Sequence, residues 1–496
     1  VITTSRSLVA LVASLSLLAA CAVGPDYVRP EPSVPAQFAE TGPWKEAVPQ
    51  EDIARGDWWT VFNDPVLDGL QADAAKRNPD LRAVAARVLQ AQAIAGISTS
   101  YLYPEIAAGA VTQRFANNPN FATLVDPVMI TANTPIITNA YKAVPLYATY
   151  EIDLWGRLRR QSESSAAALG ASIANFQTAL LTLNGDVAQT YFEVRATDEL
   201  QRLMVENINL HRNTVALFRA LRGGGLANEI ALSEVETSLR ATEAQLQVLE
   251  AQRIKLVNKL AILTGVNPEG FSLSRQPYDR SVPAIPAGLP SDLLQRRPDI
   301  AAAEREMAAA NARIGVAVAA YYPAIELTSS VGFESYDLAT LTNPTSNIWG
   351  LGIKLFQQIF NAGRISLNVE RTRAAYEERV ALYQAVLLRA FQEVETSLGR
   401  LRTLSDQARF QQLAVASANR TATLVTQRFS QGLISQVEVL VAQRAVLSAQ
   451  GVSVQIVNDQ YMTTIALIKA LGGGWQDRGK QLPEGSRSMW APPLKP

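Results

Sequence analysis

Val144-Pro145-Leu146-Tyr147-Ala148-Thr149-Tyr150-Glu151-Ile152-Asp153-Leu154-Trp155-Gly156-Arg157 passes from one periodicity to another. Val144, Leu146, Ala148, Tyr150, Ile152 and Leu154 alternate with Tyr147, Thr149, Glu151 and Asp153, so an extended chain carries the first set on one face. From Gly156 the pattern becomes helical, and 156–222 allow one helix of roughly 64 residues, about 95 Å at 1.5 Å per residue. A soluble half-buried sheet explains the alternation as well as a membrane sheet does. The helix decides, because such a length does not fit in a globule.

Working outward, the pattern recurs. Asn78-Pro79-Asp80-Leu81 returns as Arg297-Pro298-Asp299-Ile300, and Tyr103-Pro104-Glu105-Ile106 as Tyr322-Pro323-Ala324-Ile325. Gly156-Arg157 pairs with Gly363-Arg364, and Gly225-Leu226 with Gly432-Leu433. The unit is about 200 residues, far beyond solenoid periods, so one large module is duplicated, with a Pro-rich joint over 277–290. Each copy reads helix, strand, strand, helix, helix. Helices are expected over 80–100 and 299–319, each opened by Pro-Asp and stopped by Pro104 or Pro323. In the second copy Ile325, Leu327, Val331 and Phe333 oppose Glu326, Thr328, Ser330 and Glu334, while Trp349, Leu351, Ile353 and Leu355 oppose Gly350, Gly352 and Lys354. A weaker strand is expected over 105–115.

The shorter helices, near Asp80 and over 226–264, total roughly 63 residues and so match the long one when stacked end to end. Val235, Leu239, Thr242, Leu246, Leu249, Arg253, Leu256, Leu260 and Leu263 alternate steps of four and three. Leu433, Val437, Leu440, Arg444, Leu447, Gly451, Val454, Asn458, Tyr461, Ile465 and Ile468 do the same, with a second seam at Ala442, Val446, Ala449 and Ile456. A helix with two seams has a neighbour on each side, as a closed ring of helices requires.

Composition narrows the functions. Among 496 residues, 45 basic and 45 acidic side chains balance, which gives no basic excess for nucleic acid. One Cys and one His leave no metal site of imidazole and thiolate ligands. No catalytic constellation is visible either. The run 474–481 imitates a phosphate-binding loop, but Gln481 replaces the required Ser or Thr. His211, on a long polar helical stretch, reads as a surface histidine. Residues 1–20 read as an export signal, with Arg6, an apolar stretch of roughly 14 residues that is too short to span a bilayer, and Leu18-Ala19-Ala20-Cys21 at its end. That end resembles a lipobox, so Cys21 is expected to carry diacylglycerol and an N-acyl chain, and Ala22 favours the outer membrane. The most apolar later run, 314–320, is also too short to span. Crossing then needs a closed barrel, and four strands cannot close one. Three chains would give twelve strands and leave a lumen lined by the polar faces.

Across nearly the whole chain the sequence resembles the TolC-like outer membrane efflux proteins of the OprM lipoprotein type. The residues are Cys21-Ala22-Val23-Gly24-Pro25-Asp26-Tyr27, Trp58-Trp59 with Phe62, Asp64-Pro65 and Leu67, the two Pro-Asp motifs, Tyr322-Pro323, and Lys469-Ala470-Leu471-Gly472-Gly473-Gly474-Trp475. The resemblance implies a mainly α fold with a membrane β-barrel: a homotrimer with a twelve-stranded outer-membrane barrel continuous with a periplasmic α-helical barrel. It implies an exit duct, not an enzyme, that docks to a periplasmic adaptor and an inner-membrane, proton-driven RND-type transporter. The segments are then 1–20 signal, 21–77 lipidated N-terminal segment and first short helix, 78–265 first repeat, 266–296 linker, 297–472 second repeat and 473–496 tail. Docking tips are expected at Gly225, Leu226, Gly432, Leu433 and Ser435. A gate is expected at Val437 and Val441 with help from Glu438 and Arg444, where Val441 stands in place of a frequent acidic residue. Gly223-Gly224-Gly225 also departs from the single Gly usual at the first tip. No cofactor or metal is expected apart from the lipid. The alternative is a periplasmic adaptor lipoprotein, which has one long hairpin where this chain repeats its complete unit. Drugs, solvents or metal ions as cargo are not separated by the sequence, although few Met and one His argue against a copper or silver duct.

Overall fold

The computed structural model describes residues 22–30, 57–117, 136–225, 227–276, 278, 282–283, 285 and 297–473. After a 3₁₀ turn, Trp58–Phe62, come α1 (Pro65–Arg77), α2 (Pro79–Ser100), β1 (Glu105–Asn117), β2 (Ile136–Glu151), α3 (Arg157–Gly223) and α4 (Glu229–Leu263). The second half supplies α5 (Pro298–Ala319), β3 (Ala324–Ser335), β4 (Asn347–Phe356), α6 (Arg364–Ser430) and α7 (Gln436–Ala470). Corresponding helices have equal lengths in the two halves: 22 residues for α2 and α5, 67 for α3 and α6, 35 for α4 and α7.

The Pro-Asp motifs explain how short helices are stacked. Asn78 Oδ1 accepts the Leu81 N–H at 2.8 Å, capping α2, while its Nδ2 donates to the Leu263 carbonyl at the end of α4, 3.0 Å away. At the matching place Arg297 donates to the Ala470 carbonyl at the end of α7 (3.1 Å) and to Asp299 and Glu393. Each motif thus joins the start of one short helix to the end of the other and satisfies carbonyls that a helix end leaves open.

The chain forms two compact units, each drawn from both halves. One comprises Leu89–Gly170 and Glu304–Leu382 with the N-terminal residues, and the other comprises Ala171–Ala303 and Tyr383–Pro496 with the segment up to Val88. The first unit holds an antiparallel sheet in the order β1-β2-β3-β4. Its N-terminal strap lies on α3 and α5: the Val23 N–H donates to the Trp155 carbonyl (3.0 Å) and Asn311 Nδ2 to the Pro25 carbonyl (3.0 Å). Gly24 has φ +93°, and a Cβ there would stand 2.5 Å from Gly315 Cα, so only glycine permits the approach.

The second unit is held by seams. Val235, Leu239, Thr242, Leu256 and Leu260 are buried, as their spacing requires. Arg253, placed in the same seam, is answered by buried Asp198 at 2.6 Å. The Trp58-Trp59 motif roots the core. Phe62 packs edge-on to Phe192 (4.9 Å), which stacks on Tyr461 at 4.1 Å. Leu67, Leu260 and Ile465 there are wholly buried, each worth about 1.5–3 kcal/mol. Helix α7 has a neighbour on each side: Val454 packs with Ala196 and Leu203 of α3, and Gln411 of α6 donates to the Ala449 carbonyl at 2.8 Å.

Three sequence readings need correction. First, alternation is not strict through Val144. Ala143 pairs with Phe333, and the next pair is Leu146 with Val331, so β2 carries one extra residue at 144–145. Lys142 thereby meets Glu334 at 3.5 Å on the face opposite Leu146, and Ile152 and Leu154 lie beyond the strand. Second, the α7 seam fades toward its start: Leu433, Val437 and Arg444 are exposed, and burial begins at Val439 and Leu440. Third, an 18-residue window of α3, with mean hydropathy 1.3, is long and apolar enough to cross a bilayer. The sequence reading passed over it. That helix also buries Arg160, Ser164, Asn184, Arg195 and Asp198, which its own neighbours pair or pack.

Candidate functional site

The residues singled out by the sequence fall in two places: the sheet and the turns between long helices. Register fixes the faces of the sheet. Leu355, Ile353, Leu351 and Trp349 of β4 pair with Ile325, Leu327, Ser329 and Val331 of β3, and the last three of these pair with Tyr150, Ala148 and Leu146 of β2. Side chains on paired residues share a face. This face is apolar and open, with Trp349, Leu351 and Ile353 each at least 74% exposed. The other face carries Glu326 and Lys354, 3.4 Å apart, with Thr328, Ser330, Thr149 and Glu151. Gly350 and Gly352 lie opposite Ser330 and Thr328, where a Cβ would come within 3.1 and 2.9 Å of their hydroxyls. Among the described residues β1 and β4 have no second strand partner.

The turns close helices by the same device. Gly225 and Gly432 have φ of +73° and +75°, the left-handed conformation that glycine adopts without strain. At the second turn the Gly432 N–H donates to the Phe429 carbonyl (2.8 Å) and the Leu433 N–H to the Arg428 carbonyl (3.0 Å), satisfying two terminal acceptors. Leu433 is 62% exposed. Ser435 opens α7, its N–H 3.4 Å from the Glu438 carboxylate, so Glu438 is engaged in a capping box. Val437 and Val441, one turn apart on α7, are 45% and 62% exposed. Arg444 makes no ion pair among the described residues and shares a groove with Glu229 and Glu234 of α4. Leu226 and Cys21 lie outside the described residues, as does the run 474–481.

His211 is the residue sequence reading misplaced. It is buried, 2% exposed, in place of the expected surface position, and neither ring nitrogen has a hydrogen-bond partner. Burial, with help from the Arg444 charge, pushes its proton affinity below the ordinary histidine value. The available signal was spacing: Met204, Ile208, His211, Val215 and Phe218 step by four and three. The described residues contain no cluster of His, Cys, Asp or Glu able to hold a metal ion.

An antiparallel sheet with an open apolar face and a polar face, in a chain with long helical hairpins, fits a channel subunit of the outer-membrane kind. Comparison with known proteins agrees. The family described as outer membrane efflux protein matches residues 70–266 and 289–473. The pyoverdine export outer membrane protein OpmQ of Pseudomonas aeruginosa is 33% identical over 94% of this chain and 96% of its own. The toluene efflux pump outer membrane protein TtgC of Pseudomonas putida is 31% identical over 96% and 97%. The crystal structure of the Campylobacter jejuni CmeC outer membrane channel superposes with a TM-score of 0.86 at 26% identity, over 93% of this chain and 96% of that one. The chain belongs to the outer membrane efflux protein family. It is an outer-membrane efflux channel component reaching into the periplasm, not an enzyme, and the adaptor alternative falls.

Proposed function

We propose that three copies of this chain form the exit duct of a tripartite pump, with twelve strands closing the outer-membrane barrel and the helices of the second unit forming a periplasmic tube. The observation that carries this reading is the four-stranded sheet: one apolar face is open and, among the described residues, both edge strands lack a second partner. Four strands leave edges that only other copies can satisfy, and a barrel large enough for a lumen needs more than eight. The apolar face then meets lipid, and Glu326, Lys354 and the hydroxyls line the lumen.

In this reading the turns at Gly225-Leu226 and at Gly432, Leu433 and Ser435 dock to a periplasmic adaptor, which links the duct to an inner-membrane RND-type transporter. Loss of adaptor cross-linking in Leu433→Glu is the expected mark of that contact. Cys21 carries diacylglycerol and an N-acyl chain, checked by labelling with tagged palmitate that Cys21→Ser abolishes. Relatives are named for pyoverdine export and toluene efflux, and the cargo class proposed here is drugs or other small toxic compounds. The resting gate is a ring of Val437 and Val441 that excludes ions by dewetting, with Glu438 and Arg444 flanking it.

Planar-bilayer conductance tests the duct and its gate together. The purified protein is expected to give a small resting current. Val441→Asp should raise that current and shift it toward cations, and Val437→Ser should raise it without the shift. A protein that never conducts would remove the duct, whereas variants conducting like the wild type would leave the valines with a packing role.

A further inference from the structure

His211 occupies a place that the duct does not explain. It lies in the α3 seam with Ile208, Val215 and Phe218, which pack against Leu232, Val235 and Leu239 of α4 and Leu440 of α7. Seam positions are filled by apolar side chains because the facing helix excludes water. Here the ring is buried with both nitrogens unpartnered. A neutral imidazole tolerates that place at the cost of one unmade N–H bond, but an imidazolium would bring a charge and two donors.

The surrounding charges do not help a proton. On α4, Glu236 is held by Arg219 at 2.6 Å, and Glu243 is held by Arg212 and Arg240 at 3.0 and 2.8 Å. Glu206 on α3 is held by Arg202 at 3.3 Å. On α7, Glu438 is engaged by Ser435, and Arg444 brings a positive charge whose field reaches the ring. Glu229 and Glu234 share a groove with Arg444, and Glu229 is already paired with Arg222 at 2.7 Å. Glu234 is left in the groove with Arg444, and the charge that acts on the ring is that of Arg444, not of a carboxylate.

We propose that His211 is an acid-sensitive latch: neutral, it lets α7 pack against α3 and α4, and protonated, it drives the start of α7, with Arg444, out of the seam. The sign follows from linkage. The packed state holds the proton less tightly than the open one, so packing is unaffected above the ordinary histidine value, about 6.5. It weakens as pH falls through that value, because the open state takes up the proton first. Relief comes by moving α7, since Arg444 and the ring then separate and both reach water. Val437 and Val441 lie on the stretch that moves, so the latch rests on the gate reading for its consequence and on the seam alone for its motion.

Hydrogen exchange of the full chain in detergent micelles separates the two. Between pH 7.5 and 5.5, after correction for intrinsic rates, residues 436–447 of the wild type are expected to lose protection by up to about tenfold, the limit reached one pH unit below the ordinary histidine value. His211→Leu should hold its protection at both values. Arg444→Gln should blunt the loss, because removing that charge narrows the gap between the packed and open states. Should His211→Leu not assemble, Arg444→Gln and His211→Gln carry the comparison. Equal acid-induced loss in wild type and variants overturns the latch. Bilayer current that rises on acidification in the wild type but not in His211→Leu ties the motion to the gate. An acid-sensitive seam with an acid-insensitive current keeps the latch and removes the gate reading.

Discussion

Asn78 and Arg297 stand at equivalent places in the duplicated unit and solve one problem with different chemistry. Asn78 spends a neutral amide on two bonds, one inside α2 and one to Leu263. Arg297 spends a buried guanidinium on the Ala470 carbonyl and on Asp299 and Glu393. The charges around Arg297 hold its proton above the ordinary guanidinium range despite burial, so it stays cationic at any pH the protein meets. Replacing Asn78 by Ala removes a cap and leaves the Leu263 carbonyl unanswered, a loss of about 1–2 kcal/mol. Arg297→Ala should cost more, about 1.5–3 kcal/mol, since charged partners are stranded with the carbonyl. Thermal unfolding followed by circular dichroism checks the order. Equal stability of Arg297→Ala and wild type would show that the second joint is held by packing alone. The first residue was legible as half of a repeated motif, but its bond to Leu263 was not, because a joint between distant segments leaves no local pattern.

At the scale of elements, periodicity exposed what repeats and hid what interrupts. The strand faces around Leu327, Leu351 and Ile353 and the α4 seam from Val235 to Leu260 follow directly from period two and from steps of four and three. The extra residue of β2 at 144–145 breaks no composition rule. Its one trace is Pro145, which lacks an N–H for the ladder and so sits well where pairing is already interrupted. His211 was hidden for a related reason: residue type spoke for the surface while its spacing spoke for the seam, and burial followed spacing. The faces can be tested separately. Leu351→Arg puts a charge on the open apolar face, at about 2–4 kcal/mol if it falls at the bilayer midplane, and should abolish recovery in the outer-membrane fraction. Ser330→Arg, on the opposite face beside Gly350, should assemble and alter ion selectivity. Deleting Pro145 should by contrast assemble, because Lys142 and Leu146 then stand three residues apart in a regular ladder and stay on opposite faces. Normal assembly of Leu351→Arg, or loss of assembly in the deletion, would refute the assignment of faces.

For the whole molecule, assembly is the step the single chain leaves incomplete. In the second unit α3 packs with α4 and with α7, the start of α7 also meets α4 at Leu440 and Arg444, and α7 packs in turn with α6. Among the described residues α4 and α6 keep open apolar positions on their outer sides. Both carry exposed apolar residues at seam spacing: Val248 and Ile262 on α4, 67% and 60% exposed, and Phe410 and Leu413 on α6, each 60% exposed. Such rows are costly in water and suit a partner helix. In the proposed trimer the α4 row of one copy meets the α6 row of the next. Val248 and Phe410 stand about 20 residues from their turns, so they lie near one level if the hairpins align. Val248→Cys with Phe410→Cys in one chain should therefore yield, on oxidation, a denaturing-gel ladder that ends at three. Either cysteine alone should give no ladder, and a reductant should collapse it. In the proposed trimer the ladder stops at three, because each copy offers one α4 row and one α6 row and the third copy meets the first. A ladder ending at two would mean the edges pair differently. One running on without limit would mean the head-to-tail contact does not close, and the lumen, the valine ring and the duct would fall together.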